Sequence, residues 1–332
     1  MVEEHGPNGV RLVRNPEFGS SAPDARPDGF SDEIVWSTIA DRGDAVDMVA
    51  AGDSDALLLR VPPERLSELS TRFTSQIHVR PSGTMFIYLD TTTPPFDEAR
   101  VRQAVSYAVD RDRIVELVGG RFQASVTCQI IQPNFYGYRR ICPHTSDPDA
   151  GVWTGPDFAR ARSLVAEAGA AGASVRIFTI SVDPYPSVGE YVDTVLRELG
   201  LRPTLTVVTP QEFGPAAYGP ERQAANGVIT WFPDYPAPSS FIEVNFACSS
   251  SSNLPRFCDP GLDERMQEAL ELQSTDPVAA AAIWAELDAA ITEQAPWVPL
   301  VTFNNTSFVS DRVGNVQLHP QWGILLDQLW VQ

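Results

Sequence analysis

Between residues 156 and 208 the apolar residues switch between helical and strand spacing three times, and this alternation constrains the fold more than any other feature. Pro156 opens a segment in which Phe158, Ala161, Leu164, Val165 and Ala168 recur at helical spacing before Gly169. Such a stripe buries one helix face, proline suits the first turn, and glycine suits the turn that ends it. Residues 174–180 then read as a strand, Val188, Val192, Val195, Leu196 and Leu199 line a second helix closed by Gly200, and residues 204–208 read as another strand. Alternating helices and strands pack as α/β layers, so an α/β fold is expected.

The rest of the chain fits that class. Strands are predicted over residues 10–14, running into the Asn15-Pro16 turn, and over 33–38; a helix over 44–51 ends at Gly52, and a buried strand over 56–59 ends at Pro62 and Pro63. Residues 84–89 read as a strand, and Asp97 is expected to cap a helix carrying Val101, Ala104, Val105 and Ala108. A helix over 111–118 stops at Gly119 and Gly120, and residues 128–153 read as a long loop. A short strand over 228–231 precedes two helices, one with Leu262, Met266, Ala269 and Leu270, the other capped by Asp276 ahead of Pro277. After Pro296 and Pro299 strands and turns run to the end. A chain of 332 residues is about twice a typical domain, so two lobes are expected.

Charge narrows the functions. The chain has 24 basic against 43 acidic residues, a net charge of −19 and an isoelectric point near 4.5. That balance repels phosphate backbones and anionic lipid, so no nucleic-acid partner is expected. Every basic residue is arginine, which excludes a P-loop lysine or a Schiff-base lysine. Neither a nucleophile elbow, a zinc-protease motif nor a dinucleotide fingerprint occurs. The acidic pairs Asp53 with Asp55 and Asp110 with Asp112 flank element ends, where capping and solvation account for them. No catalytic centre and no cofactor are expected. The polar opening, with Glu3 and Glu4, does not read as a signal peptide, and no apolar run of about 18 residues is long enough to span a membrane.

Four cysteines fall as two close pairs, Cys128 with Cys142 and Cys248 with Cys258, 14 and 10 positions apart. Pairing within each is the simplest of three connectivities. Each bridge would contribute roughly 3 kcal/mol and would persist in an oxidising compartment. Free thiols and a metal site are the alternatives, although these spacings differ from C-x-x-C and His5, His78, His144 and His319 are scattered.

One constellation carries chemistry. In Trp231-Phe-Pro-Asp234-Tyr235-Pro-Ala-Pro238 a strand delivers an indole, a phenyl ring, a carboxylate and a phenol within five positions, and prolines stiffen the backbone beyond it. Open α/β folds bind ligands at the carboxyl ends of their strands. A carboxylate beside aromatic walls suits a cationic amine. The other reading is a capped turn with core aromatics.

Several segments resemble the extracellular solute-binding proteins of family 5, the peptide and nickel receptors of ABC importers. Phe96-Asp97-Glu98-Ala99-Arg100-Val101-Arg102-Gln103-Ala104-Val105-Ser106-Tyr107-Ala108-Val109-Asp110-Arg111 is similar to the family's F-D-D-x-R-V-R-Q-A-L-x-Y-A-I-D-R helix. Residues 9–16 resemble the strand before its N-P-x-Y/F-W turn, with Gly19 where a Trp is usual. Residues 157–169 resemble its helix ending in E-A-G, and 231–241 its W-x-x-D-Y-x-x-P-x-x-F segment. The resemblance implies a two-lobed periplasmic-binding-protein-like (type II) α/β fold with part of the first lobe missing. Residues 1–85 and 303–332 would belong to the first lobe and 86–302 would form the second, the ligand-contacting one. It implies the substrate-binding component of an ABC importer, outside the cytoplasm, working with permease subunits and closing on a small peptide or similar amine solute by hinge motion. Asp234 would pair with the solute's amine, with Trp231 and Tyr235 as walls of the cleft. Where the family commonly has a second acid, this chain has Ala237. Cys248 and Cys258 resemble a disulfide of some dipeptide receptors. An incomplete first lobe implies weak or no binding by this chain alone. A solute-sensing module joined to another N-terminal domain, and an enzyme, are the competing readings.

Overall fold

The computed structural model describes residues 1–18, 29–58, 61–219, 225–319 and 322–332. Gly19, at the position where a Trp is usual, and Leu59, at the end of the strand predicted over 56–59, lie outside them. The chain forms two compact units, Met1–Arg80 with Asn304–Gln332, and Pro81–Phe303.

In the first unit β1 (Val2–Gly6), β2 (Gly9–Val13) and β3 (Glu33–Ser37) form an antiparallel sheet. The sequence reading missed β1, whose residues are exposed and carry no alternation to detect. Gly9 admits no side chain: a Cβ there would lie 2.1 Å from the Trp36 carbonyl oxygen. Helix α1 (Arg42–Ala51) begins where the Asp41 carboxylate accepts from the amides of Gly43 and Asp44, and ends at Gly52 in the left-handed region. After β4 (Ala56–Leu57) comes α2 (Pro63–Arg72), where the sequence predicts only the end of a strand at Pro62 and Pro63. Proline in a first helical turn costs nothing, since that amide has no intrahelical partner. Val46, Val49, Leu57, Leu66, Leu69 and Phe308 form this unit's core. The returning chain adds two small ladders, Val313–Gly314 with Trp330–Val331 and Leu318–His319 with Gly323–Ile324.

Strand β5 (Ile77–Tyr88) leads into the second unit. There follow α3 (Ala99–Ala108), α4 (Arg111–Leu117), β6 (Ala124–Val126), α5 (Phe158–Glu167), β7 (Ser174–Ile180), α6 (Tyr185–Glu198), β8 (Arg202–Val208) and α7 (Pro210–Tyr218). Then come β9 (Gly227–Trp231), α8 (Ile242–Phe246), α9 (Pro260–Leu272), α10 (Pro277–Gln294) and β10 (Trp297–Val309). The strand order is β10-β5-β9-β7-β8; β7 runs parallel to both β8 and β9, while β5 and β9 are antiparallel. The alternation over 156–208 is thus the α5-β7-α6-β8 run.

Both faces of this sheet are covered. Met85, Ile87 and Leu89 face a core shared with α3 to α6, whereas Phe86 and Tyr88 face one shared with α7 to α10. The period of two sends alternate residues to opposite sides, and burial on both sides makes the strand an unbroken apolar run. Each large side chain buried this way contributes about 1.5–3 kcal/mol.

The motif helix α3 is held by its arginines. The Arg102 guanidinium donates to the carbonyls of Phe96 (2.7 Å), Asp97 (3.1 Å) and Gln294 (2.9 Å), tying the turn before α3 to the end of α10. With that turn gripped from inside, Asp97 does not cap α3: its carboxylate accepts only from the adjacent Glu98 amide, and Glu98 is the capping position. Arg111 is buried and donates to the carbonyls of Ser106, Thr127 and Pro299 and to the Ser106 hydroxyl. Burial pushes both guanidinium groups down to about 10. Asp110 caps α4 through the amides of Asp112 and Arg113, as the capping reading required.

Candidate functional site

The strand β9 carries the aromatic and acidic constellation. Its register sets Trp231 opposite Thr84 of β5. The half-buried Trp231 indole packs against the core holding Phe86 and donates to the Ser240 carbonyl (2.8 Å), closing the segment into a loop across its base. That base is fixed further: residues 238–240 form a buried turn, Phe241 meets Phe135 edge to face at 5.4 Å, and Asn245 donates to the Phe241 carbonyl (2.9 Å). The apex is exposed. Phe232 and Tyr235 show 52% and 40% of their surface, and Asp234 is exposed with no hydrogen-bond or ion-pair partner among the described residues. Ala237 donates its amide to the Tyr235 carbonyl (2.8 Å), a bond that fixes the bend after Asp234.

Of the predicted site residues, Trp231 is thus an anchor, while Asp234 and Tyr235 are presented outward. A free carboxylate on a rigid turn can accept from an ammonium group without first breaking an internal bond.

Two further residues of this site gave no sequence signal. Gly83 lies under Phe232: a Cβ there would be 2.6 Å from both the Phe232 ring and the Thr230 methyl. Only a missing side chain lets the ring lie so close to the strand. Gln132 is buried beside it, its carboxamide donating to the Ser82 carbonyl and to the Thr84 hydroxyl (3.2 Å). It reaches the strand opposite Trp231 from the long loop 128–153.

That loop is pinned. Cys128 is bonded to Cys142 and Cys248 to Cys258, with Cα atoms 4.9 and 4.6 Å apart, and no cysteine is free. The Gln129 carboxamide spans the first loop, donating to the Arg139 carbonyl (2.9 Å) and accepting from the Ile141 amide (2.8 Å). It also donates to Asp288 of α10 (2.7 Å), which accepts from the Ile130 amide (2.9 Å) and the Thr292 hydroxyl (3.3 Å). Burial pushes the Asp288 carboxyl up to about 6, against the pull of these donors.

Other titratable groups are structural. His144 is buried, meets Tyr107 edge to face, and is pushed down to about 3 by burial and by the charges of Arg111 and Arg160. Glu293 lies 3.9 Å from its Nε2, but a neutral imidazole makes no ion pair there. Asp55 pairs with Arg312 at 2.7 Å. Among the described residues no group of three or more His, Cys, Asp or Glu could hold a metal ion, and no helix is long and apolar enough to cross a membrane.

Comparison with known proteins adds four findings. A family model described as bacterial extracellular solute-binding proteins, family 5 Middle, matches residues 1–253. The chain is 26% identical over 328 residues to the probable di/tripeptide-binding protein 5 of Pseudomonas aeruginosa, covering 94% of this chain and 56% of that protein. It is 22% identical over 309 residues to the glutathione-binding protein GsiB of Salmonella typhi, covering 89% and 57%. The solved clavulanic acid biosynthesis oligopeptide binding protein 2 superposes with a TM-score of 0.86 at 23% identity, covering all of this chain and 62% of that one. The chain therefore spans little more than half the length of these relatives. The α/β architecture expected from the resemblance is the one it shares with the solved protein.

Proposed function

Because the chain belongs to the family 5 bacterial extracellular solute-binding proteins, we propose that it acts in the substrate-binding component of an ABC importer, holding a small peptide or similar amine-bearing solute without transforming it. The observation that carries this reading is Asp234, a carboxylate with no partner among the described residues, on a turn whose base is locked by the Trp231 to Ser240 bond. The peptide-binding names of its relatives agree with an amine ligand.

In this reading Asp234 accepts charge-assisted hydrogen bonds from the solute's ammonium group, and Tyr235 and Phe232 supply apolar surface beside it. Because the turn is already ordered, little of the interaction is spent on fixing it. With alanine at position 237, one carboxylate carries the interaction in this segment. We further assign residues 1–85 and 303–332 to one lobe and 86–302 to the ligand-contacting one. Two disulfides fit a location outside the reducing cytoplasm, on the periplasmic or extracellular side, with permease subunits as partners.

The test is calorimetric titration of short peptides and of their N-acetylated forms into the wild type and Asp234→Asn. Weak heat that requires both the free amine and the carboxylate is the expected result, in keeping with the weak binding that an incomplete first lobe implies. Equal binding of acetylated peptides, or chemical turnover that Asp234→Asn abolishes, would contradict it.

A further inference from the structure

The turn over residues 231–241 is held at both ends by one stretch of the loop that Cys128 and Cys142 close. Gln132 donates to the Ser82 carbonyl and to the hydroxyl of Thr84, the residue paired with Trp231, and three positions on Phe135 meets Phe241 edge to face at 5.4 Å. Gln132 and Phe135 are both buried, so a shift of either displaces what it packs against. The same stretch is gripped just upstream by Asp288 of α10. One oxygen of that carboxylate accepts from the Gln129 carboxamide (2.7 Å), the other from the Ile130 amide (2.9 Å) and the Thr292 hydroxyl (3.3 Å), and the Ile131 amide adds to the pull. Gln132 follows Ile130 by two positions, about 7 Å of chain at most.

The arrangement suits an ionised Asp288. A carboxylate only accepts, and its partners here all donate. Gln129 is not free to turn round: its oxygen accepts from the Ile141 amide and its nitrogen donates to the Arg139 carbonyl, and a flip would break both bonds. A proton on the carboxyl is accommodated only where the Thr292 hydroxyl can rotate to accept it. The Ile130 amide shares that oxygen and would then lose a charge-assisted bond. The groups that reach Asp288 are thus neutral. Charged groups on the elements packed against α10 are engaged elsewhere: Arg102 of α3 on the Gln294 carbonyl, Arg265 of α9 on Glu286, Glu243 of α8 with Asp263, and Glu293 beside the neutral His144.

We infer that Asp288 is a positioning residue for the candidate site: as a carboxylate it holds residues 129–135 so that Gln132 and Phe135 fix the turn presenting Asp234, and on protonation that hold slackens. Its effect on solute rests on the amine-binding reading above; its effect on the turn does not. Burial places the change near pH 6, because it pushes the carboxyl up to about that value.

The experiment follows the Ile130 amide and the Trp231 indole of the full chain by NMR between pH 5 and 8, first alone and then with alanylalanine. In the wild type both resonances should move with one midpoint near 6, and in Asp288→Asn neither should. Gln132→Ala keeps the carboxyl but cuts the link to Thr84, so there the Ile130 amide should still titrate while the indole response falls by at least half. Alanylalanine, its amine charged at both values, should bind about fivefold more weakly at pH 5 than at pH 7 in the wild type and equally at the two in Asp288→Asn. The inference is overturned if the wild-type indole does not titrate, if its titration persists in Asp288→Asn, or if wild-type alanylalanine affinity is the same at pH 5 and 7. If alanylalanine binds at neither pH while the indole still titrates with Asp288, the amine-binding reading fails and the positioning role stands.

Discussion

The Asp90 carboxylate, two residues beyond β5, is gripped through both oxygens by the Arg256 guanidinium, which reaches it from the loop closed by Cys248 and Cys258. Asp90 is buried and also accepts from the Thr92 amide and from the hydroxyls of Thr92 and Thr93, while its own amide donates to Asn226. Arg256 is partly exposed. The two partners are therefore unequal. Removing the arginine strands a buried charge, whereas removing the acid leaves a cation that water can reach. Arg256→Ala is expected to cost about 3 kcal/mol, and Asp90→Asn clearly less. Urea denaturation of both variants checks this, and equal losses would show that the burial asymmetry does not govern the pair.

Asp288 makes stability depend on pH. Its folded value of about 6 lies above its ordinary 3.8, so the folded state binds the proton more tightly than the unfolded state. The stability this contributes is fully present below about pH 4 and is lost as pH rises through about 6, a change of about 3 kcal/mol. His144, held at about 3, acts with the opposite sign, losing stability as pH falls below its ordinary value. The informative quantity is therefore the difference between Asp288→Asn and wild type, which should shift in favour of the variant between pH 4 and 7. A difference that stays flat across that range would exclude a buried titrating carboxyl.

Opening the disulfides should destabilise the second unit without rearranging its sheet. Chain-entropy estimates give about 3 kcal/mol for loops of this length. Replacing Cys128 and Cys142 together by serine should lower the denaturation midpoint, and the Cys248 and Cys258 double variant should act similarly. Because Gln129 and Asp288 hold the first loop as well, Asp288→Ala combined with the first double variant should lose more than the two losses added. Strict additivity would argue that disulfide and carboxylate restrain different parts.

At the candidate site, Gly83→Val should displace the Phe232 ring, since even a Cβ would meet it at 2.6 Å. Trp231→Phe should remove the bond to the Ser240 carbonyl at a cost of about 1 kcal/mol. Both are expected to weaken peptide binding by about tenfold while leaving the far-UV circular dichroism unchanged, because each disturbs the turn that presents Asp234. Unchanged affinity in both would separate the turn from binding.

The α5-β7-α6-β8 run was legible because strict periodicity, proline at the first turn and glycine at the last all agree there. Helices α2 and α7 were not, since Pro63 and Pro210 open them at positions where proline also marks a break. Helix α7 does carry a local signature, the capping box of Thr209 with Glu212, that could have been read. The site was half legible. A strand delivering Trp231 and Asp234 is written in consecutive residues, but Gly83 beneath Phe232 and Gln132 behind Thr84 come from distant parts of the chain. Asp90 and Arg256 are 166 positions apart, and no local pattern links an acid to a base at that range.

The most direct test of the account follows the indole N–H resonance of Trp231 by NMR while a dipeptide with a free amine, and then its N-acetylated form, is added to the full chain. The account predicts a saturable shift with the free amine, a loss of that shift on acetylation, and no response to either in Asp234→Asn. A response to the acetylated dipeptide as large as that to the free one, or a response that persists in Asp234→Asn, would contradict it.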